Sequence, residues 1–212
     1  MSNIYRMTKP VDAVTGLFHA PAGDLPRFAA EVHPGNLGLV IADGTVHAMR
    51  WGFPVAPKNM IAALPLRPNP VTSVRDGELE TGMWADSFHH RRCLIPMTAW
   101  AEPEGAEGAM TRTWYSPLEE SLFAVAGIWR PTVEWGDAFS VVMVGGPDAH
   151  VGGQNHMPVI LAPEDWEQWT HGTPDDAIEL CRVYGDALIV DRTDEPWFKL
   201  TDLTGSTAAP LS

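Results

Sequence analysis

Along most of the chain, short apolar runs of strand length alternate with turn residues, and helical spacing replaces that pattern in only a few places. In 8–18, Val11, Val14, Leu17 and Phe18 fall on one helical face behind Pro10, which predicts a short amphipathic helix. In 37–51, LGLVIADGTVHAMRW, two β-type runs flank Asp43-Gly44, a dipeptide suited to a tight hairpin turn. From 53 to 71, Pro54, Pro57, Pro65, Pro68 and Pro70 exclude long regular structure and predict a long, shaped loop. The runs 93–100, 122–129, 139–144 and 187–190 are apolar and β-leaning, and are expected to form the buried sheet. Short helices are predicted over 164–169 and 175–181, the second with Thr173 as N-cap, Pro174 in the first turn and Asp175 and Asp176 at the positive end of the dipole. The segment 201–212 reads as a frayed tail after a single domain over 1–200. Strands do not alternate regularly with helices as a parallel sheet requires, so the fold class is α+β: a mostly antiparallel β core with a few flanking helices.

Composition narrows this further. With 45% hydrophobic and 19% charged residues over 212 positions, the chain is a folded globular protein. Gly 19 and Pro 19, without a collagen period, favour short elements and exclude bundles and coiled coils. The apolar runs are too short to span a membrane and MSNIYRMTKP lacks the core of a secretory signal, so a cytoplasmic location is expected. Cys93 and Cys181 stand in no C-x-x-C and read as buried thiols. No dinucleotide, P-loop, G-x-S-x-G or H-E-x-x-H fingerprint is present, and no cofactor or metal is expected. The formal charge of −13 opposes non-specific binding to a polyanion, so any nucleic-acid role must rest on a local basic groove. Arg67, Arg75, Arg91 and Arg92 cluster, although chance grouping on a solvated surface is the simpler account of composition alone.

Several segments together carry a resemblance: MSNIYRMTKP at the start, MRWGFP at 49–54, PVTSVRD at 70–76, RRCLIPMTAWAEP at 91–103, MTRTWY at 110–115, LFAVAGIWRP at 122–131 and HMPVIL at 156–161. In this order the chain resembles the SOS-response-associated peptidase family, proteins that shield abasic sites in single-stranded DNA. The resemblance implies a barrel-like β core with flanking helices and removal of the initiator Met. It also implies an N-terminal Cys whose amine and thiol close a thiazolidine on the abasic aldehyde. An asparagine, a glutamate and a histidine surround that terminus in the family, and arginines with an aromatic wedge hold the strand.

Carried over by position, the match is partial. Ser2 stands where the family has Cys, so the thiol is gone. Ser73-Val74-Arg75 keeps the arginine of N-x-R and loses the asparagine; Asn69 lies in another register. Glu102 matches the family glutamate. Gln154 holds the histidine position, and His156 falls where a DNA-contacting arginine is expected. A serine hydroxyl is a far weaker ring-closing nucleophile than a thiol of pKa about 8.5. What survives is the α-amine, with a pKa of about 7.7–8.0 and able to form a Schiff base with an aldehyde.

The candidate chemical set is thus Ser2, Ser73, Glu102, Gln154 and His156, with Arg75, Arg91, Arg112, Trp51 and Trp84 as candidate DNA contacts. Each has a plainer alternative. Ser2 equally fits a loose terminal residue, Glu102 an ion pair with Arg112 or Arg130, His156 a satisfied partly buried histidine, and the tryptophans core packing. The implied partner is single-stranded DNA containing an abasic site, with no membrane; a monomer is the default expectation. Three readings compete: covalent trapping through the Ser2 amine, non-covalent DNA binding by a degenerate site, and peptide chemistry without a Ser-His-Asp signature. Ser2 itself reads as inherited divergence or as a replacement made to block the reaction.

Overall fold

The structure, a computed structural model, describes residues 4–56, 68–151 and 154–197, with the backbone alone for 146–151, 154 and 155. The expected tail at 201–212 lies outside the described residues. The described chain begins on strand β1 (Ile4–Arg6) and enters helix α1 (Val11–Phe18) at Pro10, whose ring-fixed φ of −66° suits a helix start. Val14 and Phe18, one turn apart, form the buried face. After β2 (Glu31–Val32) comes the expected hairpin, β3 (Leu37–Ala42) and β4 (Thr45–Trp51). Asp43 and Gly44 turn it with φ of 49° and 69°, the doubly left-handed geometry that matches the twist of antiparallel strands.

The proline-rich stretch is bracketed by a short ladder, β5 (Phe53–Val55) against β6 (Asn69–Val71), while 57–67 lie outside the described residues. Gly52 makes this ladder possible: its φ is 106°, and a Cβ there would stand 2.5 Å from Cβ of Pro70. Next come β7 (Ser73–Arg75), α2 (Ala85–His90), β8 (Arg92–Met97), β9 (Ala99–Glu104), β10 (Thr111–Pro117), β11 (Phe123–Thr132) and β12 (Gly136–Val151). The chain continues through β13 (Gln154–Pro158), β14 (Ile160–Leu161), α3 (Trp166–His171), α4 (Pro174–Glu179) and β15 (Leu188–Pro196). Helix α4 starts as read: Thr173 and Asp176 form a reciprocal capping box with Pro174 in the first turn.

Strands β12, β4, β3, β8 and β11 close a five-stranded barrel. Its ladders are antiparallel except β12 with β4, which run parallel through Ala138↔Arg50 and Phe139↔Trp51. A second antiparallel sheet has the order β15-β10-β9-β1-β2. The fold is therefore α+β, a mostly antiparallel barrel-like β core with few helices, as expected. One run departs from expectation. The apolar run 187–190 predicts a place in the buried sheet, yet Ile189 is 45% and Val190 42% exposed. They lie on β15, the edge of the second sheet, and β-branched residues favour extended backbone whether or not the strand is covered.

Interior anchors tie the layers together. Trp169 Nε1 donates to Cys93 O at 3.0 Å, fastening α3 to β8. Arg92, a buried member of the basic cluster, donates to carbonyls of Phe88, Trp169 and Gly172. Cys93 is buried and Cys181 half-buried; burial raises both thiols, Cys181 to about 12, so both stay protonated.

Candidate active site

Alternation along β9 places Trp100, Glu102 and Glu104 on one face of the second sheet. Glu102 is fully buried and stands opposite Thr113 of β10. Below it, Trp100 stacks on Tyr115 with centroids 5.7 Å apart and meets Phe123 edge-on at 6.1 Å, so the carboxylate sits at the rim of an aromatic floor. On the other side of β9 runs β1, in the register Ile4↔Ala101 and Tyr5↔Trp100. The first described residue of the chain is thus hydrogen-bonded beside the neighbour of Glu102. Ser2 lies outside the described residues.

The facing wall comes from β7, β12 and β13. Parallel pairing aligns Ser73 with Val141 and Arg75 with Met143, while Met143 and Gly145 pair across their other edge with Pro158 and His156. The two-residue period therefore gathers Ser73, Arg75 and His156 on one face. Ser73 and Pro158 line a narrow cleft together with Tyr5, Trp51 and Trp100. About 10 Å³ of free room remains there, enough for one water molecule. Sequence reasoning did not single out Tyr5; its signal was the inward position in β1. Its hydroxyl is buried and hydrogen-bonded to none of the described residues, and burial raises its pKa.

His156 is 7% exposed, and its Nε2 is buried with no hydrogen-bond partner among the described residues. Burial, reinforced by positive charge that includes Arg75, holds its pKa below that of a free imidazole. Because the folded state resists the proton that the unfolded chain accepts, stability is expected to fall as pH drops through about 6.5 and to level off above it. Urea midpoints measured from about pH 5 to 7.5 check this, and His156→Gln is expected to flatten the dependence. Arg75 is exposed and makes no ion pair among the described residues, which leaves its guanidinium available to an anion.

The remaining candidates serve other contacts. Arg91 donates to Trp129 O at 3.2 Å and binds Asp86, whose carboxyl it lowers by hydrogen bond and charge. Arg112 was expected to contact DNA or Glu102. It projects instead from the opposite face of the sheet, fully buried, where it meets Glu31 and Glu195. Trp51 is 2% exposed, its Nε1 donating to Thr72 O at 3.0 Å, and Trp84 is 8% exposed against Phe53. Both are core residues, so neither presents a free ring to a base. Gln154 pairs through its backbone with Val151, and its side chain lies outside the described set. Among the described residues, no cluster of three or more His, Cys, Asp and Glu is arranged to hold a metal ion. None of the described helices is long and apolar enough to cross a membrane.

Comparison with known proteins adds an independent line. A family model described as SOS response associated peptidase matches residues 3–192. No curated protein matches the chain. Among solved structures, a protein from Bordetella bronchiseptica superposes with a TM-score of 0.73 at 20% identity, over 90% of this chain and 99% of that one. A protein from Bacteroides thetaiotaomicron gives 0.73 at 16% identity, over 96% and 94%. A phage-related protein from Bordetella bronchiseptica gives 0.68 at 19%, over 91% and 94%. At these identities the structural likeness speaks to the fold.

Proposed function

This chain belongs to the SOS response associated peptidase family, and on that premise we propose that it captures abasic sites in single-stranded DNA through the α-amine of Ser2, freed when Met1 is removed. The observation that carries the reading is the ladder that sets Ile4 against Ala101, bringing the start of β1 to the fully buried Glu102. The amine lone pair adds to the aldehyde carbon of the ring-opened deoxyribose and gives a carbinolamine. Glu102 relays a proton to the carbinolamine hydroxyl, water departs, and a C=N bond remains. Without a thiol at position 2 the product stays an imine, open to hydrolysis. Arg75 supplies the phosphate contact that a chain of charge −13 needs locally.

The test is an abasic oligonucleotide incubated with the protein and borohydride, after intact-mass measurement has verified that Met1 is absent. Hydride addition to the imine fixes a secondary amine, and a shifted covalent band is expected. No band from Ser2-terminated protein overturns the proposal; salt-sensitive binding without a band would identify a non-covalent DNA-binding module instead. Arg75→Ala is expected to weaken binding uniformly across sequences and to reduce the slope of log affinity against log salt by about 1. Fluorescence anisotropy at several salt concentrations measures both.

A further inference from the structure

Residues 193–197 lie beyond the part of the chain that the family model matches, yet they close over the strand at the chain's start. The β10–β15 ladder pairs Thr113 with Arg192 and Thr111 with Pro196, so β15 is bulged opposite Arg112. A bulge bends its strand and re-aims side chains. Here Glu195 comes within 3.7 Å of Arg112 Nη1 and 4.0 Å of Arg6 Nη2. Arg112 also donates to Glu31 Oε1 at 2.5 Å and to the carbonyls of Pro196 at 3.1 Å and Trp197 at 3.4 Å. Trp197 N donates in turn to Met110 O at 2.8 Å.

This network occupies the outer face of the second sheet, behind Glu102. Alternation puts Ile4 and Arg6 of β1, Ala99 and Ala101 of β9 and Trp114 of β10 on that face. The alanines are short enough for longer neighbours to lie across β9: Arg6 stacks over Trp114 at 3.7 Å, and Trp197 packs with Ile4, Ala101 and Trp114. Strand β1 has three residues and β2 two, and strands that short hold their register weakly by backbone bonds alone. A buried arginine ion pair adds little net stability because desolvation offsets its attraction, whereas its geometry is well suited to specifying one register.

We infer that Arg112, Glu195 and Trp197 form a clamp that holds β1 in register against β9 and thereby positions the amine preceding β1 for chemistry on the opposite face of the sheet. The inference rests on the proposed function. These are positioning residues, since they lie behind the sheet from Glu102.

Glu195→Gln and Trp197→Ala test it in the full chain. At saturating abasic oligonucleotide, each is expected to slow borohydride trapping about tenfold or more, because a misplacement of about 1 Å can cost about 10²-fold. Half-saturation should stay within about twofold, because Arg75 is untouched. Hydrogen exchange is expected to speed up in β1 and stay unchanged in β8 and β11. Trapping at the wild-type rate, or β1 exchange that does not change, overturns the clamp. A wild-type protein that traps nothing removes the proposed function, and β1 exchange then decides the clamp by itself. Should Trp197→Ala fail to fold, Glu195→Gln, which alters a half-exposed side chain, carries the test.

Discussion

Glu102→Gln is expected to lower the single-turnover rate of borohydride-trapped capture by about 10²-fold or more, the scale of a lost general acid–base group. Glutamine keeps the size and hydrogen-bonding reach of glutamate but cannot carry a proton between amine and carbinolamine hydroxyl. Glu102 is fully buried, between the β1 ladder and Thr113, so the substitution leaves packing intact and isolates the proton-transfer role. The measurement is the rate at saturating abasic oligonucleotide, with affinity for intact single-stranded DNA as control. Affinity is expected to be unchanged, since the proposed phosphate contact is Arg75. A wild-type trapping rate in the variant would reassign Glu102 to a structural ion pair.

Trp51→Ala is expected to cost about 3–5 kcal/mol of folding stability, as large-to-small changes of buried aromatics do. Trp51 meets Tyr5 edge-on with centroids 5.0 Å apart and an interplanar angle of 75°. Its indole N–H also satisfies the carbonyl of Thr72. Removal empties the floor between barrel and second sheet and takes one of two donors from that carbonyl, which keeps its bond from Val141 N at 2.9 Å. Urea denaturation reads the loss as a lower midpoint at unchanged slope. The opposite result, wild-type stability with weakened DNA binding, would restore Trp51 as a base-stacking surface.

The elements legible in the sequence were those whose cause is local. Pro10 starts α1, Asp43-Gly44 turns the first hairpin, and Thr173 with Asp176 caps α4; in each case the interacting groups are a few residues apart. An apolar β-run such as 187–190 states that a strand exists, not whether another layer covers it. In the sequence, Arg112 points to a DNA contact because an arginine beside apolar residues carries no mark of which face it serves. Only the pairing of β10 with β9 and β15 turned it outward, to Glu31 and Glu195. Likewise, His156 and Arg75 stand far apart in sequence, and their shared face exists because β12 pairs with β7 along one edge and β13 along the other.

The sequence by itself determined the family, through ordered motifs from the first residues to 161, along with the α+β class, the hairpin and the capping box of α4. Tertiary structure alone decided that the barrel closes through the parallel pairing of β4 with β12, that Trp51 and Trp84 are interior, and that β1 is laddered beside Glu102. The division has a physical reason. Turn and cap energies depend on neighbours in sequence, whereas strand partners and burial depend on contacts between distant segments, whose free energy is gained only when the whole sheet closes.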